Sequence, residues 1–190
     1  MIDKPDEYTF NQRLINLLKN LQAKQAKLWI YGNHDHGGYG TEVIKNVMTK
    51  GGFQLLQNSH HILEKNNDRL LVAGIDDAIL GRPNLEKAIM NSNPDLFTIL
   101  LAHEPDYADT ASQYPVDVQL SGHSHGGQVR LPFIGSLYTP KYAQKYIDGK
   151  HRITKKLTLY VNKGIGTTRL PYRFLCEPEM TLYTLEQQIS

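Results

Sequence analysis

Three short loops carry five of the eight histidines in this chain, side chains that can bind a metal ion or move a proton. They are "GNHDHGG" at 32–38, "AHEPD" at 102–106 and "SGHSHGG" at 121–127. Neutral imidazole is a good ligand for zinc, manganese or iron, and an amide or carboxylate oxygen supplies a harder partner. Glycines beside such ligands let the backbone turn sharply and let other groups approach closely. His123 and His125 are two apart. On a strand they share a face; in a turn they can aim at two adjacent ions. Each loop alone has a plainer reading, because Asn, Asp and Gly favour turns and a single His in a Gly-rich loop is normally a surface residue. Three such loops, each straight after an apolar run, are hard to explain as surface decoration, and together they point to a metal site.

The elements that must position these loops can be read from periodicity. Phe10, Leu14, Leu17, Leu18 and Leu21 recur at helical spacing and predict a helix over about 8–26. The apolar run 28–31 reads as a short buried strand ending at Gly32. Thr41 can cap a second helix whose core face is Val43, Ile44, Val47 and Met48, closed by Gly51 and Gly52. Runs at 61–64 and 70–74 flank the turn-rich "KNND" and predict a hairpin. A third helix is expected at 85–91 and a short one at 106–113. The continuous apolar runs 96–101 and 116–120 suit strands covered on both faces. Further strands are expected at 128–131, 157–161 and 180–185, with a long, partly ordered loop over 131–156. The pattern is α/β, with helix and strand alternating first and a more antiparallel β region later. In open α/β sheets, ligands sit beyond the carboxyl ends of such strands.

Composition narrows the function classes. The chain has 190 residues, a net charge of +2 and 40% hydrophobic residues, so one globular domain with a real core is expected. Its Lys and Arg are spread along the chain, with no clustered basic face and no aromatic-basic groove of the kind nucleic acid needs. The one cysteine, Cys176, rules out an internal disulfide framework and a Cys-based zinc site, and is expected to be packed. No apolar run reaches the roughly 18 residues of a membrane helix, and the opening "MIDKPDEYTF" is not a signal peptide. A structural zinc protein is disfavoured, since such sites prefer closed Cys/His tetrahedra.

The order "GNHD", then an isolated His at a strand end, then "GHSH" resembles the calcineurin-like metallophosphoesterase family. "SGHSHGGQVRLPFIG" and "LYVNKGIGTTRLPYRFLCEPEM" tighten the match to its YkuE/YaeI-like bacterial branch. The resemblance covers nearly the whole chain. It implies a four-layer αββα sandwich, two mixed β-sheets packed face to face with helices outside. It also implies a site for two divalent ions (Mn, Fe or Zn) that hydrolyses phosphodiesters or phosphomonoesters by a metal-activated hydroxide. Carried over, Asn33, His103 and His123 bind one ion and His125 the other. His34 stands beside the phosphate, where it stabilises or protonates the leaving oxygen, and Asp35 orients a histidine. Asp76 and Asp77 match a "GxDD"-like stretch with a structural or site-edge role. Arg130 and Arg169 can meet a phosphate or sit solvated at the core edge. His36, His60, His61 and His151 match no ligand position. The substrate implied is a phosphorylated small molecule or a lipid-linked phosphoester.

Two family motifs, D-x-H and G-D, are absent from the sequence. The opening resembles the stretch just after G-D in the family, with Asp3 as a second acidic position, so residues 1–190 are expected to be the C-terminal portion of one such domain. On that expectation one ion or none binds, activity is in doubt, and exposed sheet edges favour self-association. The alternative reading is a non-catalytic homologue that binds one ion or a phosphate group. The compartment is left open, cytoplasm or cell envelope.

Overall fold

The computed structural model describes residues 8–37 and 40–186; Asp3 and Gly38 lie outside the described residues. The helix α1 (Tyr8–Asn20) ends earlier than its periodicity suggests, and residues 21–27 lead to β1 (Leu28–Trp29). Its inward side also differs. Ile15 is buried, whereas Leu17 and Leu21 are more than half exposed. Helix α2 (Glu42–Lys50) buries Ile44 and Val47. Thr41 precedes it without a side-chain cap, its backbone already in the helical region at φ −81° and ψ −17°. Gly52, at φ 85°, turns the chain out of α2 into β2 (Gln54–Leu55), which pairs parallel with β1.

The hairpin of β3 (Ser59–Lys65) and β4 (Asp68–Gly74) comes next. Its turn residues Asn66 and Asn67 both have positive φ, 51° and 70°, the conformation that a tight two-residue hairpin requires and that Asn tolerates. Helix α3 (Leu85–Ile89), capped by the Asn84 side chain, packs on β3 and β4. Strand β5 (Phe97–Leu101), a 3-10 turn at Pro105–Tyr107, helix α4 (Ala108–Ala111) and strand β6 (Val118–Ser121) complete the central part. Short strands β7 (Arg130–Leu131) and β8 (Gly135–Ser136) form a second hairpin, and β9 (Gly149–Arg152) and β10 (Thr158–Val161) close the main sheet.

The main sheet has six strands in the order β3-β4-β5-β6-β10-β9. Its four inner strands β4, β5, β6 and β10 run parallel, and β3 and β9 run antiparallel at the edges. One face carries the principal core, in which Leu71, Ala73, Ile75, Leu100 and Ala102 meet Leu85 and Ala88 of α3. The other face of β4 meets the β1–β2 layer. A Cβ on Gly74 would stand 2.4 Å from Leu56 Cβ and 2.8 Å from Ile30 Cγ2, so a side chain there would push the layers apart. Trp29, Tyr31 and Ile44 make a second, smaller core in that layer. The fold is thus α/β with stacked sheets, the second represented by only two short strands among the described residues. The strand expected at 180–185 is not formed. Its alternating apolar residues find no partner strand there, and Met180 and Leu182 are about nine-tenths exposed.

Candidate metal centre

Four parallel strands end on one edge of the sheet, and pairing continues past the last strand residue. The amide of Ile75 donates to Leu101 O, Ala102 to Leu120 O, Gly122 to His103 O and Asn162 to Ser121 O, all within 3.2 Å. The segments that carry Asp76–Asp77, His103–Glu104 and His123–His125 therefore leave the sheet side by side, still tied to one another. This is the carboxyl edge where open α/β sheets hold ligands.

The turn after β6 is unusual. His123, His125 and Gln128 have φ of 64°, 51° and 52°, in a region uncommon for residues with a side chain. Several bonds hold it there. Ser124 Oγ accepts from Gly126 N at 3.0 Å, and the Gln128 side chain bonds the backbone of Thr168 and Leu170. Arg173 is the main clasp. Its guanidinium donates to His125 O at 3.1 Å and to the carbonyls of Lys163, Gly164 and Gly166 at 2.6–3.1 Å. Buried Cys176 adds a thiol contact to His125 O at 3.2 Å, in line with a packed cysteine.

The "GNHDHGG" loop is held differently. Asp35 closes a turn by accepting from Gly32 N at 2.8 Å. Asn33 Oδ1 lies 3.2 Å from His103 Nε2. Gly32 is what lets His103 come so near, since a Cβ there would stand 2.7 Å from the His103 ring. His36 Nε2 bonds Asp76 Oδ1 at 2.8 Å. Asp76 also accepts from Gln57, Arg82 N and Asp77 N, so the loop is fastened to the segment after β4. His34 is exposed, yet it is one of the charges that push down the basicity of His103, His123 and His125. The structure thus gathers Asn33, His34, His103, His123 and His125 in one place, with Asp35 bracing the loop and not touching an imidazole through any hydrogen bond described.

Burial first, then neighbouring imidazoles and other charges, hold all three deeper histidines neutral, and His103 is pulled down to about 3. Neutral imidazole is the metal-binding form. Two donors on one ion at about 2.0–2.2 Å are roughly 3 Å apart at a right angle, which the Asn33–His103 separation fits. His123 gives its Nε2 hydrogen to Lys141 O at 2.9 Å and its ring lies 4.9 Å from that of His103. That bond leaves Nδ1 as the free donor, the usual arrangement for a ligating histidine. Nδ1 of His125 is buried without a hydrogen-bond partner. These residues fit a divalent cation by donor type, protonation and spacing.

Glu104 is a member of the cluster that composition and spacing did not single out. It is fully buried and can bring a carboxylate oxygen within 4.8 Å of ligand atoms of His103 and His123. It also faces Asp77, itself fully buried. Burial and the Asp77 carboxylate push the Glu104 pKa up to about 9, while the neighbouring Glu104 carboxyl and then the amides of Leu80 and Ile79 hold Asp77 low against its burial. Glu104 is therefore the acid of the pair that keeps its proton, and Glu104 Oε1 and Asp77 Oδ2 are both buried with no other donor among the described residues. The only sequence signal is an acid beside the strand-end histidine. Arg130 pairs with Asp148, and Arg169 stacks on Tyr138.

Residues 3–127 match the family profile described as calcineurin-like phosphoesterase. The chain is 48% identical over 187 residues to the uncharacterized metallophosphoesterase YkuE of Bacillus subtilis, covering 98% of the chain and 65% of that protein. It is 30% identical to the phosphodiesterase YaeI of Escherichia coli, over 82% of the chain and 56% of the relative. It is 34% identical to the UDP-2,3-diacylglucosamine pyrophosphatase LpxG of Chlamydia muridarum, over 73% and 43%. The chain thus spans less than two thirds of the length of these relatives. No solved structure matches it. Arg173 and Cys176 lie beyond the stretch that the family profile matches.

Proposed function

The chain belongs to the calcineurin-like phosphoesterase family, and from that premise we propose that it is a metal-dependent hydrolase of phosphodiesters or phosphomonoesters. The observation that carries this reading is the meeting of Asn33 and His103, 70 residues apart, at a distance suited to one ion. Asn33, His103 and His123 would hold that ion, and His125 is the donor toward a second. Manganese, iron and zinc all suit the N/O donor set. A bound divalent cation polarises phosphoryl oxygens and lowers the pKa of water to near neutrality.

The chain's own residues do the rest. His34, exposed beside Asn33, is free to meet a substrate and give a proton to the leaving oxygen. Asp35 and the His36–Asp76 pair keep that loop in place. A phosphorylated small molecule or a lipid-linked phosphoester is the substrate class we infer, supported by relatives named phosphodiesterase and diacylglucosamine pyrophosphatase. Turnover of bis(4-nitrophenyl) phosphate with added Mn²⁺ tests the reading. His34→Ala is expected to lower turnover about 100-fold with metal content unchanged, and His123→Ala to lose both. Full turnover after either change would overturn it.

A second reading, a binder of one ion without hydrolysis, is favoured by the donor count, three for one ion and His125 alone for the other. One bound ion with no turnover would support it.

A further inference from the structure

The β7–β8 hairpin puts apolar side chains into water beside the metal centre. Phe133 at its tip is 109% exposed and Ile134 71%, with Leu137 and Tyr138 more than half exposed. Phe133 also has a φ of 66°, uncommon for a bulky residue. The tip is thus disfavoured by both solvent and backbone, and contiguous exposed apolar groups mark interaction surfaces.

The groups around the tip select the occupant. The Arg169 guanidinium lies 4.5 Å over the Tyr138 ring and donates to its hydroxyl at 3.0 Å. Lys141 Nζ lies 5.1 Å over Tyr142. Two acids of this region are already paired, Asp148 with Arg130 and Glu179 with Lys163. An apolar tip rimmed by aromatic–cation pairs is the composition of a bilayer interface, with apolar groups among acyl chains, rings at headgroup level and cations on phosphates. A stable protein partner needs about 800 Å² of complementary surface on each side, which a two-residue convex tip is poorly shaped to give.

We propose that this hairpin docks the protein on an anionic lipid bilayer, with Phe133 and Ile134 inserted and Arg169 and Lys141 on lipid phosphates. The hairpin is fixed to the metal loop. Ser136 packs so closely on Gly127 that a Cβ there would stand 1.9 Å from its Oγ, and Leu137 N donates to Val129 O. Docking therefore holds the His125 turn at the headgroup plane. A consequence resting on the hydrolase reading is that phosphoesters presented at that plane are the preferred substrates.

Co-sedimentation with phosphatidylcholine–phosphatidylglycerol vesicles tests the docking, and it needs no turnover, so its outcome is separate from the hydrolysis assays. The protein is expected to sediment with mixed vesicles and less with phosphatidylcholine alone. Phe133→Ser with Ile134→Ser is expected to lower vesicle affinity at least about tenfold, and Arg169→Gln with Lys141→Gln to remove the preference for anionic lipid. Both pairs are exposed, so melting temperatures should hold. Equal sedimentation of wild type and the tip variant, or none by either, would overturn the proposal. So would a dimer on gel filtration that the tip variant dissolves, since it would assign the tip to a second copy.

Discussion

The two sides of the metal centre are built by different means. His103, His123 and His125 leave adjacent parallel strands whose hydrogen bonding runs on past the strand ends. Asn33, His34, Asp35 and His36 hang from a two-residue strand pair. The first side inherits its geometry from the sheet and its core. The second is set by three local clasps: the Gly32 gap under the His103 ring, the Asn33–His103 contact and the His36–Asp76 bond. Rigidity of the sheet alone therefore does not make the site; the clasps bring the loop to the sheet edge.

Filling the Gly32 gap should break the comparison most sharply. In Gly32→Ala the new Cβ must displace the His103 ring from 2.7 Å. About a 100-fold loss of turnover is expected, since a displacement near 1 Å at a reacting centre has that effect, with the circular dichroism of the sheet retained. On the sheet side, Arg173→Lys replaces a planar fork that reaches several carbonyls by a single ammonium. A fall of about tenfold in Mn²⁺ affinity is expected, measured by calorimetric titration. Rescue of Arg173→Ala by added guanidinium would separate this clasp from general loss of folding. His36→Gln should weaken ion binding by a similar or smaller factor, roughly tenfold, and Asp76→Asn should add little on top of it, because both changes open the same clasp.

The smallest effect concerns pH in the metal-free protein. His103 is lowered from 6.5 to about 3, so folding favours its neutral form. That stabilisation is complete above about pH 6.5 and is lost as pH falls toward 3. Glu104 is raised from 4.5 to about 9, so its stabilisation is complete below about pH 4.5 and is lost as pH rises toward 9. The two windows overlap between about pH 4.5 and 6.5, where their opposing slopes cancel, so the melting temperature is expected to be highest there and to fall by a few degrees on either side. Glu104→Gln should flatten the alkaline limb and leave the acid limb, as read by thermal melts across pH.

The features legible in the sequence are those set by local physics. Apolar runs ending in Gly and His marked the strand ends, and "KNND" marked the hairpin whose two asparagines take positive φ. The three histidine loops do converge, as their order implied. The features that stayed hidden depend on partners distant in the chain. Arg173 meets His125 from 48 residues away and Asp76 meets His36 from 40, and such pairs leave no periodic trace. Glu104 has no sequence signal beyond its neighbour His103, because its burial together with Asp77 is a property of the fold. The alternation at 180–185 has the period of a strand, but period without a neighbouring strand to bond does not make one.

The most direct test of a centre assembled from these loops is a Mn²⁺ titration of the protein, wild type against His103→Ala and Asn33→Ala, read by calorimetry and metal content. His103 joins the two sides, so the expected result is one tight ion in the wild type and a loss of at least about 100-fold in affinity in both variants. Undiminished binding in either variant would contradict it.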